Sequence, residues 1–182
     1  QDFSQKNLRQ FVNNFQKDMA TIDILGGKFQ KVTLSGKGSD SEGAISLDFT
    51  TVLYKLMVSY PNQLKNVLGS DFLTLLYGQK EIFDSKGQIK TDVMIEKRLV
   101  FVSEVTDATM VSQLATTWET TLSSDLKSLL SLGTANKLQP GFLDNLYRGM
   151  SIRYRNFPYP DKTIDYSIIS APNGKKYLVL AG

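Results

Sequence analysis

The spacing of the last three strand-like segments restricts the fold more than any other feature. Ser151–Phe157 alternates Ile152 and Tyr154 with Arg153 and Arg155, and Pro158 and Pro160 break it. Thr163–Ser170 and Lys176–Leu180 then flank Ala171-Pro-Asn-Gly174, a strong turn signal. Strands joined by connections this short pair antiparallel. Tyr177–Leu180 is apolar at both parities, which reads as a central, covered strand.

Two helical stripes must pack on such a sheet. In the first, Ser4 is a candidate N-cap and Leu8, Phe11, Val12, Phe15 and Met19 share one face before Gly26-Gly27. In the second, Thr106 or Asp107 is the cap. Met110, Val111, Leu114, Trp118, Leu122, Leu126, Leu129 and Leu130 form the stripe, and Gly133 ends it. Thr116, Thr117, Thr120 and Thr121 lie opposite, so tertiary packing must hold this helix. Pro140-Gly141 is read as opening a shorter helix through Phe142, Leu143, Leu146 and Tyr147.

Lys28–Ser35 and the alternating Ile45, Leu47 and Phe49 are expected to form a hairpin across the polar, glycine-rich loop 36–43. Residues 50–78 are read as helical. Leu53, Leu56, Met57 and Tyr60 share a face, Pro61 starts a short helix ended by Gly69, and Ser70 or Asp71 caps another through Phe72, Leu75 and Leu76. A turn at Asp84–Gly87 precedes a long strand, with Ile89, Thr91, Val93, Ile95, Leu99 and Phe101 inward and Lys90, Asp92, Glu96 and Arg98 in water.

Hairpin-joined strands with a few helices define the expected class. It is α+β, a mostly antiparallel sheet with helices packed on one face, forming a single domain over residues 1–182. A chain of this length buries a core without disulfides or metals. A helix followed by a hairpin resembles periplasmic lipoprotein carriers and PsbP-like envelope domains, although no motif ties the chain to either.

The sequence contains no histidine and no cysteine. Histidine triads, histidine general bases and thiolate nucleophiles are therefore excluded, as are zinc, haem and iron–sulfur sites that need those ligands. Of the remaining chemistries, a carboxylate pair lacks an acid isolated in an apolar run, and Asp71 is the nearest case. Ser124-Asp-Leu-Lys127 matches a serine–lysine spacing but falls inside a helix, and Ser39–Glu42 falls short of a calcium loop. No catalytic residue, metal ligand or cofactor is expected.

The segment from Ile152 to Pro160 interleaves aromatic rings with cations. Arg153, Arg155 and Tyr159, together with Trp118, are therefore the candidate ligand- or partner-binding residues. The structural alternative places Tyr154 inward and both arginines in water. A net charge of +3 is too small to favour nucleic acid, and no apolar run is long enough to span a membrane.

The chain opens on Gln1 rather than Met, which fits removal of a leader and an extracytoplasmic, periplasmic or secreted location. The functional expectation is a non-catalytic exported or envelope-associated binding or assembly domain with a protein partner or an apolar small ligand. The alternatives are a carrier with an apolar cavity between the long helix and the sheet, and a carboxylate-based hydrolase.

Overall fold

Seven antiparallel strands form one sheet in the computed structural model, which describes residues 13–14, 17–32, 49–55, 59–81, 86, 88–90, 95–126, 141–157 and 159–182. At 51, 52, 55, 126 and 159–162 it describes the backbone alone. The strands are β1 (Phe29–Val32), β2 (Leu68–Gln79), β3 (Glu96–Val105), β4 (Leu143–Tyr147), β5 (Met150–Phe157), β6 (Tyr159–Ser170) and β7 (Lys176–Ala181). Their order is β1-β2-β3-β7-β6-β5-β4. Two meanders are thus stitched together where β3 pairs with β7, which makes the C-terminal strand a central one, as its apolar run implies.

Helices α1 (Phe49–Lys55), α2 (Leu64–Val67) and α3 (Ala108–Leu126) complete the described elements, and the fold is α+β as expected. Asp107 caps α3 by accepting a hydrogen bond from the Met110 amide at 2.9 Å. Val111, Ala115, Trp118 and Leu122 recur at helical spacing and are buried against the sheet. Thr116 and Thr117 return their hydroxyls to carbonyls four residues back, at 2.9 and 3.0 Å. Met110 does not join the inward face and is 41% exposed. The side chains of Leu126, Leu129 and Leu130, and Gly133, lie outside the described residues.

One face of the sheet carries the core. Leu76 from β2, Leu99, Phe101 and Val105 from β3, Ile164 and Tyr166 from β6 and Leu178 and Leu180 from β7 meet Phe49 and Leu53 of α1 and the α3 stripe. Phe49, Phe72 and Phe101 form an aromatic cluster with ring centroids 5.7–6.2 Å apart. Residues 17–21 are helical, and Lys97 donates to the carbonyls of Met19 and Ala20 at their end, where a cation is favoured.

Three expectations are corrected. Residues 70–76 are not a helix capped by Ser70 or Asp71; they belong to β2. Its Phe72, Thr74 and Leu76 face the core while Leu73, Leu75 and Tyr77 face the other side. Residues 142–147 are not helical either. They form edge strand β4, turned back onto β5 through Arg148 (φ 50°) and Gly149 (φ 80°), the left-handed pair of a two-residue hairpin. Phe49 begins a helix instead of ending a strand, and the described partner of β1 is β2. Ser4, Leu8, Phe11, Val12, Phe15, the loop 36–43, Ile45 and Leu47 lie outside the described residues.

Candidate functional site

Side chains alternate across a strand, so every β-strand that supplies the core also presents a second row. The helix-bearing face takes Leu99, Phe101 and Ser103 of β3. The opposite face, on which none of the described helices packs, takes Arg98, Val100 and Val102. Register aligns these rows across strands. Val100 lies opposite Leu75 on one side and Ala181 on the other, and Ala181 lies opposite Asp165. Val102 lies between Leu73 and Val179.

These rungs floor a trough of about 540 Å³. Phe29, Leu75, Tyr77, Val100, Val102, Val179 and Ala181 supply its apolar lining, and Gln79, Arg98, Thr163 and Asp165 supply its polar side chains. Phe29 and Tyr77 pack ring to ring at 4.8 Å, forming one wall. Gln79 and Arg98 lie at the end where β2 finishes and β3 begins, beside the end of β7; Thr163 and Asp165 stand mid-strand in β6, Asp165 on the rung of Ala181 and Val100. Arg98 Nε donates to Gln79 Oε1 at 2.6 Å, and Thr163 Oγ1 donates to Asp165 Oδ2 at 3.0 Å. Burial pushes the Asp165 carboxyl above its ordinary range; the Thr163 hydrogen bond and the Arg98 charge oppose that shift.

The sequence reading missed this site because it assigned the charged parity of β3 to water. Glu96 and Arg98 are instead half-buried, and the same parity continues as Val100 and Val102, with Val100 only 7% exposed. The signal was available: Leu99–Val102 is apolar at both parities, like Tyr177–Val179, and such strands are lined on both faces.

The residues singled out from sequence have other surroundings. Arg153 does not point to water. It lies opposite Tyr166 on β6 and forks onto Glu119 of α3, with Nε–Oε1 at 2.7 Å and Nη2–Oε2 at 2.5 Å. It also reaches Asp144 at 2.9 Å, and the Tyr166 hydroxyl donates to Glu119 Oε1 at 2.6 Å. Arg153 is held protonated, chiefly by its hydrogen bonds to Glu119, and burial pushes the Tyr166 phenol up. Arg155 shares this face. Its Nη1 donates to Ser123 at 3.2 Å and its guanidinium sits 5.4 Å from the Phe157 ring centroid.

Tyr154, expected inward, is half-buried on the opposite side and lies across from Asp165. The parity is reversed because β5 sits near the sheet's edge, beneath the polar flank of α3 and not beneath its apolar stripe. Trp118 is buried in the core, its Nε1 donating to the Ser59 carbonyl at 2.8 Å and facing Asp125 at 3.2 Å. Tyr159 pairs with Phe157 through the backbone; its side chain is not among those described.

Asp71 is exposed near the start of β2, where Lys175 bridges it and Glu104 at 2.9 Å each. Ser124 is exposed on α3, while Lys127 and Ser39–Glu42 fall outside the described residues. Among the described residues no three acidic side chains gather as a metal cluster would require. No described helix is long and apolar enough to cross a membrane.

No protein-family model, curated protein or solved structure matches the chain. The chemistry of the trough must therefore be read from its own residues. It has an apolar floor, one aromatic wall and one polar corner, a combination that suits binding. Asp165 is the one carboxylate among its lining side chains, so the described lining holds no acid–base carboxylate pair.

Proposed function

We propose that this chain is a non-catalytic binding domain that takes an apolar small ligand in the trough on the face of its sheet opposite the described helices. The observation carrying the reading is the trough itself. Its volume of about 540 Å³ falls within the ordinary range of ligand sites, and Leu75, Val100, Val102 and Val179 give it a continuous apolar floor. The reading keeps the carrier expectation but moves its site. The space between α3 and the sheet is filled by Val111, Trp118, Leu122, Ile164 and Leu180, whereas the trough lies behind β3 and β7. The extracytoplasmic setting expected from the sequence belongs to the same proposal.

A neutral apolar fluorophore, N-phenyl-1-naphthylamine, tests it. Its emission should rise on titration with the folded protein and saturate at one equivalent. Ala181→Phe, which fills the floor of the trough, should abolish the rise while leaving the circular dichroism unchanged. Equal enhancement by the variant and the parent would overturn the assignment.

A second reading, an assembly surface, has its own support. Leu143, Leu146, Tyr147 and Met150 expose apolar area along β4 and its turn, with Leu146 73% exposed. Sedimentation equilibrium with Leu146→Lys checks it. Loss of self-association in the variant would support the surface, and a monomeric parent would end the self-assembly form of this reading.

A further inference from the structure

The sequence contains a single Asn-Gly pair, Asn173-Gly174, and the fold places it at the exposed tip of the β6–β7 hairpin. We propose that Asn173 is a site of spontaneous deamidation, where the folded chain converts an asparagine to a mixture of aspartate and isoaspartate. The inference stands on the turn alone and is independent of the trough.

Three observations carry it. First, the residue after Asn173 is glycine, so no Cβ shields the backbone nitrogen that must attack the side-chain carbonyl. Second, the Lys175 backbone N–H donates to Asn173 Oδ1 at 3.0 Å. This turn folds the side chain over the Asn173–Gly174 peptide, and the ring it closes contains both Cγ and the Gly174 nitrogen, the two atoms that must join. The same donor faces the oxygen on which negative charge develops during attack, as the donors of an oxyanion hole do. Third, Asn173, Gly174 and Lys175 are all exposed, so solvent supplies base and water. One contact opposes the reaction. The Gly174 N–H donates to the Ala171 carbonyl at 3.0 Å, but this is a neutral surface hydrogen bond that water replaces.

Solvent base removes the Gly174 amide proton, the nitrogen bonds to Cγ, and the Cγ–Nδ2 bond breaks with release of ammonia. Water then opens the resulting succinimide. Cleavage at Cγ leaves aspartate, and cleavage at the backbone carbonyl leaves isoaspartate, whose main chain runs through Cβ. Aspartate keeps the acceptor oxygen that Lys175 holds. Isoaspartate adds a backbone atom inside a turn closed by the Ala171 N–Lys175 O bond of 2.8 Å. It therefore loosens the start of β7 and the Lys175 bridge to Asp71 and Glu104.

Incubation of the folded protein at mildly alkaline pH tests this, with trypsin releasing residues 163–175 as one peptide for mass spectrometry. That peptide should gain one mass unit before any other asparagine-containing peptide, and faster as pH rises. Its rate should lie within about tenfold of that in the urea-unfolded chain. Gly174→Ala should slow the gain at least about tenfold. Because φ of 80° at Gly174 disfavours alanine, Asn173→Gln is the second variant; its longer side chain must close a larger ring, and the gain should vanish. Aged protein rich in isoaspartate should melt below the parent, and Asn173→Asp should melt with it. An intact Asn173 in folded protein under conditions that convert the unfolded chain overturns the proposal, as does earlier conversion at another asparagine. An undiminished gain in Asn173→Gln does the same, and aged protein that melts with the parent overturns the loosening of β7.

Discussion

Glu119 receives two hydrogen bonds from Arg153 and one from Tyr166, and this small network fastens α3 to β5 and β6. Its side chain is 12% exposed and that of Arg153 26%, so solvent screens the pair only in part. Glu119→Ala leaves a guanidinium and a phenol without their acceptor. It should cost about 2–4 kcal/mol in urea unfolding, whereas exposed Lys175→Ala should cost under about 1 kcal/mol.

Asp165 works in the opposite sense. Burial raises its folded-state pKa above the ordinary 3.8, so the folded protein holds this proton more tightly than the unfolded chain. The group therefore subtracts stability as pH rises above 3.8, in full once pH exceeds its raised value. That loss disappears as pH falls back toward 3.8. Asp165→Asn should raise the melting temperature at neutral pH, and the gain should shrink steadily on acidification. A gain independent of pH would show that the carboxyl is not the cause.

At the scale of elements, legibility followed how strongly periodicity and turn chemistry agreed. The α3 stripe and the turn after β6 were legible because each has one dominant signal, an apolar face or an Asn-Gly turn. Trp118→Ala should accordingly cost about 3–5 kcal/mol in urea unfolding, since the ring is buried and its Nε1 is bonded. β2 was not legible. Phe72-Leu-Thr-Leu-Leu-Tyr77 is apolar at both parities, and such a run satisfies helical and strand spacing alike.

A glycine decides what β2 can pack against. Gly78 pairs with the Gly27–Lys28 backbone, and a Cβ there would lie 2.5 Å from the Leu25 carbonyl oxygen. Gly78→Ala should cost about 1–3 kcal/mol by thermal or urea unfolding, because backbone rather than a flexible side chain must yield. β4 was misread for a related reason. Its turn, Arg148-Gly149, places a non-glycine residue at positive φ, which no short-range rule would favour over the helix-like spacing of Leu143, Leu146 and Tyr147.

For the whole molecule, the class and the placement of the described helices on one face were legible from the series of hairpins. The site was not, because it arises from the second face of strands whose first face builds the core. Alternation explains both faces at once: Leu99 and Phe101 pack under α1 and α3, while Val100 and Val102 floor the trough. A binding surface made this way depends on lateral register between β2, β3, β7 and β6 and on no single loop. It should therefore persist in variants that weaken α3 docking without unfolding the sheet.

Methyl-resolved NMR during titration with N-phenyl-1-naphthylamine tests the central claim most directly, because the two faces carry distinct methyl groups. The trough predicts saturable shifts at Leu75, Val100, Val102 and Val179, with Leu99, Val111, Leu122 and Leu178 unmoved. Shifts centred on Val111, Leu122 and Leu178 would put the ligand between helix and sheet and contradict the account.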